Sequence, residues 1–139
     1  DGVTSRGVET WAVFDVLPSV SLAGNYTLTR ANRDGEDAQL PHQPVHEGRI
    51  GAHVKAASWL DFSGDLHGHS ATHLDHFGNL TGPGWVSLDA GVHVRPGTGV
   101  QIGVSAQNIL NDLSRIDGLQ QPLPGRSVYL SVQIQGEPR

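Results

Sequence analysis

The chain has 139 residues, room for one domain, and its nine Lys and Arg against 14 Asp and Glu give a formal net charge of −5. With no basic stripe, nucleic acid is not an expected partner; with no apolar run near about eighteen residues, neither a membrane helix nor a signal peptide is expected within these residues. There is no Cys, so disulfides say nothing about compartment, and no Met even at position 1, which fits a processed product, a fragment or part of something longer.

Apolar residues recur with a period of two, the pattern of a sheet with one greasy and one polar face. It predicts seven antiparallel strands, at 7–16, 20–30, 45–56, 60–72, 85–94, 100–108 and 126–135. In the first, Val8, Phe14 and Val16 oppose Glu9 and Asp15, while Trp11 and Val13 fall on the polar side. In the second, Leu22, Gly24, Tyr26 and Leu28 oppose Ser21, Asn25, Thr27 and Thr29. In the third, Ile50, Ala52, Val54 and Ala56 oppose Glu47, Arg49, His53 and Lys55. In the fourth, Leu60, Phe62 and Leu66 oppose Asp61, Ser63, Asp65, His67 and His69. The last three are the most regular: Val86 to Val94, Val100 to Ala106 and Val128 to Ile134, apolar at every second position. About nine to eleven residues is what a tilted strand needs to cross a bilayer.

The connections alternate in length. The segments 17–19, 57–59 and 95–99 are short, with Pro, Gly or Ser at their centres. The segments 31–44, 73–84 and 109–125 are long and polar. Short turns at one end and long loops at the other suit an outer-membrane barrel with the short ends periplasmic, which puts the C-terminus in the periplasm. Trp59, Phe62 and Trp85 lie near strand ends, where an interfacial aromatic girdle is expected. A soluble sandwich also alternates, so a soluble β-sandwich binding module stands as an alternative.

In order along the chain, RGVETW (6–11), GNYTLTRA (24–31), LPHQPVHEGRIGAHV (40–54), VSLDAGVHV (86–94), VSAQNILND (104–112) and PLPGRSVYLSV (122–132) resemble the C-terminal barrel strands of TonB-dependent outer-membrane receptors. Asn108-Ile109-Leu110-Asn111 stands where that family has an Asn-Leu-Phe-Asp-like element before its final loop, and Pro124-Gly125-Arg126 opens the last strand. The resemblance implies an all-β fold over 1–139: an antiparallel up-and-down meander of about seven strands, forming part of a transmembrane β-barrel whose plug and earlier strands lie elsewhere. It further implies nutrient uptake across a bacterial outer membrane (a ferric siderophore, another metal chelate, a cobalamin or a glycan) rather than enzymatic activity. The implied partners are the remaining barrel strands and plug, outer-membrane lipid, and a TonB-type energy-coupling complex reached through an N-terminal part. No cofactor is implied. The family's last strand usually ends in an aromatic residue; here the equivalent outward position is Gly136, followed by Glu137-Pro138-Arg139. Seven strands leave two edges, which lipid does not tolerate, so further strands, a second chain or self-association are expected.

The eight His raise the question of metal. His53, His67, His69 and His93 share the polar face and are candidate ligand contacts, since imidazole suits several transition metals; the plainer reading is that His is a tolerated filler of a polar wall. A second cluster, HGHSATHLDHFGN (67–79), resembles part of a zinc-hydrolase pattern. It makes His67, His69, His73, Asp75 and His76 candidate metal ligands and a soluble metal-dependent hydrolase the enzymatic alternative. Position 71, where that pattern has its first His, is Ala.

Overall fold

The computed structural model describes residues 2–115 and 121–135; the expectations placed on 116–120 and on the terminal segment 136–139 lie outside them. The described residues form β1 (Val3–Leu17), β2 (Val20–Arg33), β3 (His46–Ala57), β4 (Leu60–His69), β5 (Thr72–His73), β6 (Thr81–Gly82), β7 (Trp85–Gly97), β8 (Val100–Gln107) and β9 (Ser127–Ile134). They contain no helix. Seven strands make one antiparallel sheet in the order β1-β2-β3-β4-β7-β8-β9, an uninterrupted meander, and β5 and β6 form a small separate hairpin inside the β4–β7 connection.

Four expected boundaries shift. β1 begins at Val3 and β2 runs to Arg33, because Thr4, Ser5 and their neighbours continue the ladder against Ala31 and Asn32 above the apolar stretch. The fourth strand, expected to reach residue 72, ends at His69; Thr72 and His73 leave the sheet to pair with Gly82 and Thr81. β7 runs past Val94 to Gly97.

Registers place the expected apolar residues in continuous rows. One runs Val20, Val54, Phe62, Val92, Val104, Leu130 across six strands; another runs Ala12, Gly24, Ile50, Leu66, Leu88. The polar residues form the alternate rows, among them Asp15, Ser21, His53, Ser63, Gly91, Ser105 and Tyr129.

The burial of the two faces is the reverse of a water-soluble protein's. Ala31 is the one buried hydrophobic residue among those described, whereas Asp61, Thr72, Ser87 and Asn108 are buried polar ones. Ile50, Phe62, Leu66, Val104, Leu130 and Val132 are all exposed. The polar face is therefore the sheltered, inner one and the apolar face the outer. Among the described residues no second layer covers the apolar face, and the single meandering sheet is not the two packed sheets of the β-sandwich alternative.

The three short turns share one construction. β1–β2, β3–β4 and β7–β8 each carry a register shift next to the turn, between Asp15 and Leu17, Lys55 and Ala57, and Val94 and Gly97. Such bulges bend a strand and tighten its twist. In each turn one carbonyl reaches sideways to the next hairpin: Lys55 N–H donates to Ser19 O (2.8 Å), Arg95 N–H to Trp59 O (2.8 Å) and Gln135 N–H to Gly99 O (2.7 Å). Gly99 has φ 77°, a left-handed conformation that glycine adopts without steric cost.

Candidate functional site

The inner face carries two groups of polar and charged side chains, about 27 Å apart along β4 at ordinary strand rise, from Asp61 to the level of His69 and Trp85. The first lies toward the short-turn end and centres on Asp61, whose side chain is 4 % exposed. Asp61 Oδ2 meets the Arg95 guanidinium as an ion pair, and Oδ1 lies 3.6 Å from His53 Nε2. Register sets Lys55 and His93 directly opposite Asp61 on its two sides. His93 lies against the backbone of Gly103, where a Cβ would stand 2.8 Å from its Cδ2, so glycine leaves room for the ring.

The second group lies toward the long-loop end and centres on Trp85. His67 and His69 meet the indole edge-on, with centroids 5.2 and 4.8 Å away, and the Arg115 guanidinium stands 5.2 Å from the ring centre. This corrects the expectation of Trp85 in an outward girdle. It pairs with His69 and faces inward because it shares the parity of the polar positions. Trp59 is in a turn, and Phe62 alone of the three takes an outward position within a strand. Below Trp85, Arg49 Nε donates to both oxygens of Asp65, at 2.8 and 2.7 Å, and His67 Nδ1 stands 3.4 Å from Asp65 Oδ1. His67 Nδ1, Trp85 Nε1 and Arg115 Nε are buried and make no hydrogen bond within the described residues. Trp85, with the Arg115 guanidinium over its ring and the two imidazoles at its edge, is an aromatic and cationic patch of the kind that suits a planar or anionic guest.

The four histidines on the polar face thus fall into pairs: His53 and His93 flank Asp61, and His67 and His69 flank Trp85. The metal candidates divide between β4 and the β5–β6 hairpin with its loop. His69 Nδ1 lies 2.6 Å from Ser70 O. His73 sits in β5 over Gly78, with its carbonyl accepting from His42 N–H. Asp75 Oδ1 accepts from Leu80 N–H at 3.2 Å, and His76 Nδ1 lies 3.2 Å from Arg33 Nη2. Among the described residues no three His, Asp or Glu side chains lie close enough to hold one metal ion. His67 and His69 lie on the inner wall, whereas His73 lies in the β5–β6 hairpin and Asp75 and His76 in its connecting loop.

Behind Trp85, the segment flagged at Asn108–Asn111 locks the final loop to the sheet. Asn108 is fully buried, with φ 49°. Its N–H donates to Asp89 Oδ1 (2.8 Å), its Nδ2 donates to Asp112 O (3.0 Å) and its Oδ1 accepts from Asp112 N–H (3.0 Å). Asn111 Oδ1 accepts from Arg126 N–H, and Arg126 Nε donates to Ile109 O, both at 3.0 Å. Asp112 accepts from the Ser114 hydroxyl and N–H and from Val86 N–H, bonds that hold its carboxyl below the usual aspartate range. Asn108 and Asn111 are left-handed positions, which asparagine tolerates better than most residues.

No protein-family model matches the sequence, and a search of curated proteins gives no match. Solved structures do match. The siderophore receptor PiuA from Acinetobacter baumannii superposes over 95 % of this chain with TM-score 0.82 at 15 % identity. The ferric yersiniabactin uptake receptor FyuA from Yersinia pestis does so over 95 % with TM-score 0.81 at 16 %. The ferric citrate transporter FecA does so over 95 % with TM-score 0.81 at 19 %. The chain spans 22, 23 and 24 % of those proteins' respective lengths. The fold is therefore that of a stretch of siderophore-receptor barrel.

Proposed function

We propose that the chain supplies the closing strands of a TonB-dependent outer-membrane receptor that imports an iron chelate. The observation that carries this reading is the inverted sheet: an exposed apolar face across seven strands and a sheltered face holding the buried charge. Water does not favour that arrangement, whereas a bilayer outside and a polar lumen inside do. The structural neighbours add that this shape is found in proteins named for siderophore, ferric yersiniabactin and ferric citrate transport.

In this reading residues 1–139 are the C-terminal segment of the barrel. The two sheet edges pair with the remaining barrel strands, the inner wall faces a plug, and a TonB-type complex engages an N-terminal part of the receptor. The long connections 34–45, 70–84 and 108–126 face the exterior, and the C-terminus faces the periplasm. Trp85, with His67, His69 and Arg115, forms a contact for the incoming chelate near the mouth, and the His53–Asp61–His93 group forms part of the lower wall. No covalent chemistry is assigned to either.

The test is uptake of radiolabelled iron, supplied as ferric citrate and as a ferric catecholate, by cells in which this receptor is the sole route. The reading predicts uptake of an iron chelate that stops when the proton-motive force is collapsed. Trp85→Ala lowers it about tenfold, the equivalent of about 1.4 kcal/mol of binding. Absence of uptake, or uptake indifferent to the proton-motive force, contradicts it.

A further inference from the structure

The outer face is not a smooth apolar wall. A hollow of about 750 Å³ opens on it, walled by Phe14 and Leu22 on one side and by Ile50 and Leu66 on the other. The cause is a gap in the side-chain rows: Gly48 on β3 and Gly68 on β4 are directly paired, and Gly24 lies in the row next to them. At the upper rim, Tyr26 Oη lies 2.7 Å from His46 Nδ1, a polar pair at the edge of an apolar trough.

Four residues further along β2, about 13 Å at ordinary strand rise, the same face carries Arg30. Its direct cross-strand partner is Arg6. Like charges directly opposite each other destabilise a sheet. Among the described residues neither guanidinium has a carboxylate at salt-bridge distance, and both are exposed. The pair sits one row beyond Val8 and Leu28, the last apolar row of the outer face. Two unneutralised cations at the top of the apolar band, above a trough without side chains, match a lipid in both charge and shape.

We infer that this face binds one anionic membrane lipid, its phosphate held between Arg6 and Arg30 and one acyl chain lying in the trough over Gly48 and Gly68. The hollow is continuous with the apolar face, so the occupant is the lipid that already covers that face. Arginine stems lie along apolar surface while their heads reach the headgroup layer. The inference rests on the membrane reading proposed above.

The test takes the protein from the outer-membrane fraction and compares retention of dioleoylphosphatidylglycerol and dioleoylphosphatidylcholine by native mass spectrometry. Two arginines at a membrane surface predict about a thirtyfold preference for the anionic lipid. Arg6→Gln with Arg30→Gln abolishes the preference. Gly48→Leu abolishes retention; a Cβ there meets only ordinary contacts, Asn25 O at 3.6 Å and Tyr26 Cδ2 at 3.8 Å, so the new side chain fills the trough rather than breaking the sheet. Val104→Leu, on the same face outside the hollow, leaves both unchanged. Excess inorganic phosphate does not displace the lipid; displacement overturns the acyl-chain site, as does wild-type retention in Gly48→Leu. A protein recovered in the membrane with no lipid preference overturns this inference alone, and one absent from the membrane fraction overturns the membrane reading with it.

Discussion

Asp61 and Asp65 show how differently two carboxylates on one strand and one face are held. Asp61 is nearly sealed from solvent, and its charge is balanced by Arg95 with His53 close by. Removing one partner of a buried pair leaves the other charge uncompensated, which costs about 3 kcal/mol or more. The Arg49–Asp65 pair has a guanidinium whose side chain is 64 % exposed, and an exposed pair contributes about 1 kcal/mol or less. Arg95→Ala is therefore expected to destabilise the folded protein about 3 kcal/mol more than it destabilises its Asp61→Asn background, and Arg49→Ala to change stability by about 1 kcal/mol at most. Denaturant unfolding in detergent reads both; equal costs for the two arginines contradict the account of Asp61.

Between the strands, the final loop is fastened by Asn108 and Asp112. The carboxyl of Asp112 is held below its ordinary range in the folded protein by the Ser114 hydroxyl first, then by the Ser114 and Val86 N–H groups. A depressed folded value means the contribution is complete above the unfolded value of about 4 and is lost as pH falls through the folded one. With Trp11 and Trp59 replaced by Phe, Trp85 fluorescence is expected to show a step below about pH 4, and Asp112→Asn removes that step. A step that persists in Asp112→Asn contradicts it. The strands themselves were legible because the outer face repeats every second residue. Their upper ends were not: Thr4, Ser5 and Asn32 pair by backbone alone, with no apolar period to mark them. The side on which Trp85 lies follows from parity, but an aromatic at a strand end suggests a girdle whichever way it points. Asn108 was marked by resemblance; its burial under Asp89 and Asp112 arises from contacts that spacing does not encode. The hydrogen bonds from each short turn to the next hairpin, at Ser19, Trp59 and Gly99, likewise appear only in three dimensions.

For the whole molecule, the apolar band fixes the reading. From Val20 to Leu28 on β2 is about 27 Å along the strand, and tilted by about 35° to 45° it rises about 20 Å, most of the height of about 25 Å of a barrel's lipid-facing belt. β1 and β2 continue beyond it, with Arg6 and Arg30 at the margin. The sheet keeps two long edges, at β1 and β9, among the described residues; in lipid each unpaired backbone group costs several kcal/mol, so the proposed receptor closes them with further strands. The central claim is that the exposed apolar face meets lipid and the sheltered polar face meets water. The chain has no native Cys, so single cysteines introduced along β8 and β9 are the only thiols within it to carry a spin label in membranes. Labels at Ile102, Val104, Leu130 and Val132 are predicted to be accessible to oxygen dissolved in the bilayer, and labels at Gln101, Ser105, Ser131 and Gln133 to a water-soluble nickel complex, alternating residue by residue. Absence of alternation, or alternation of the opposite phase, would contradict the account.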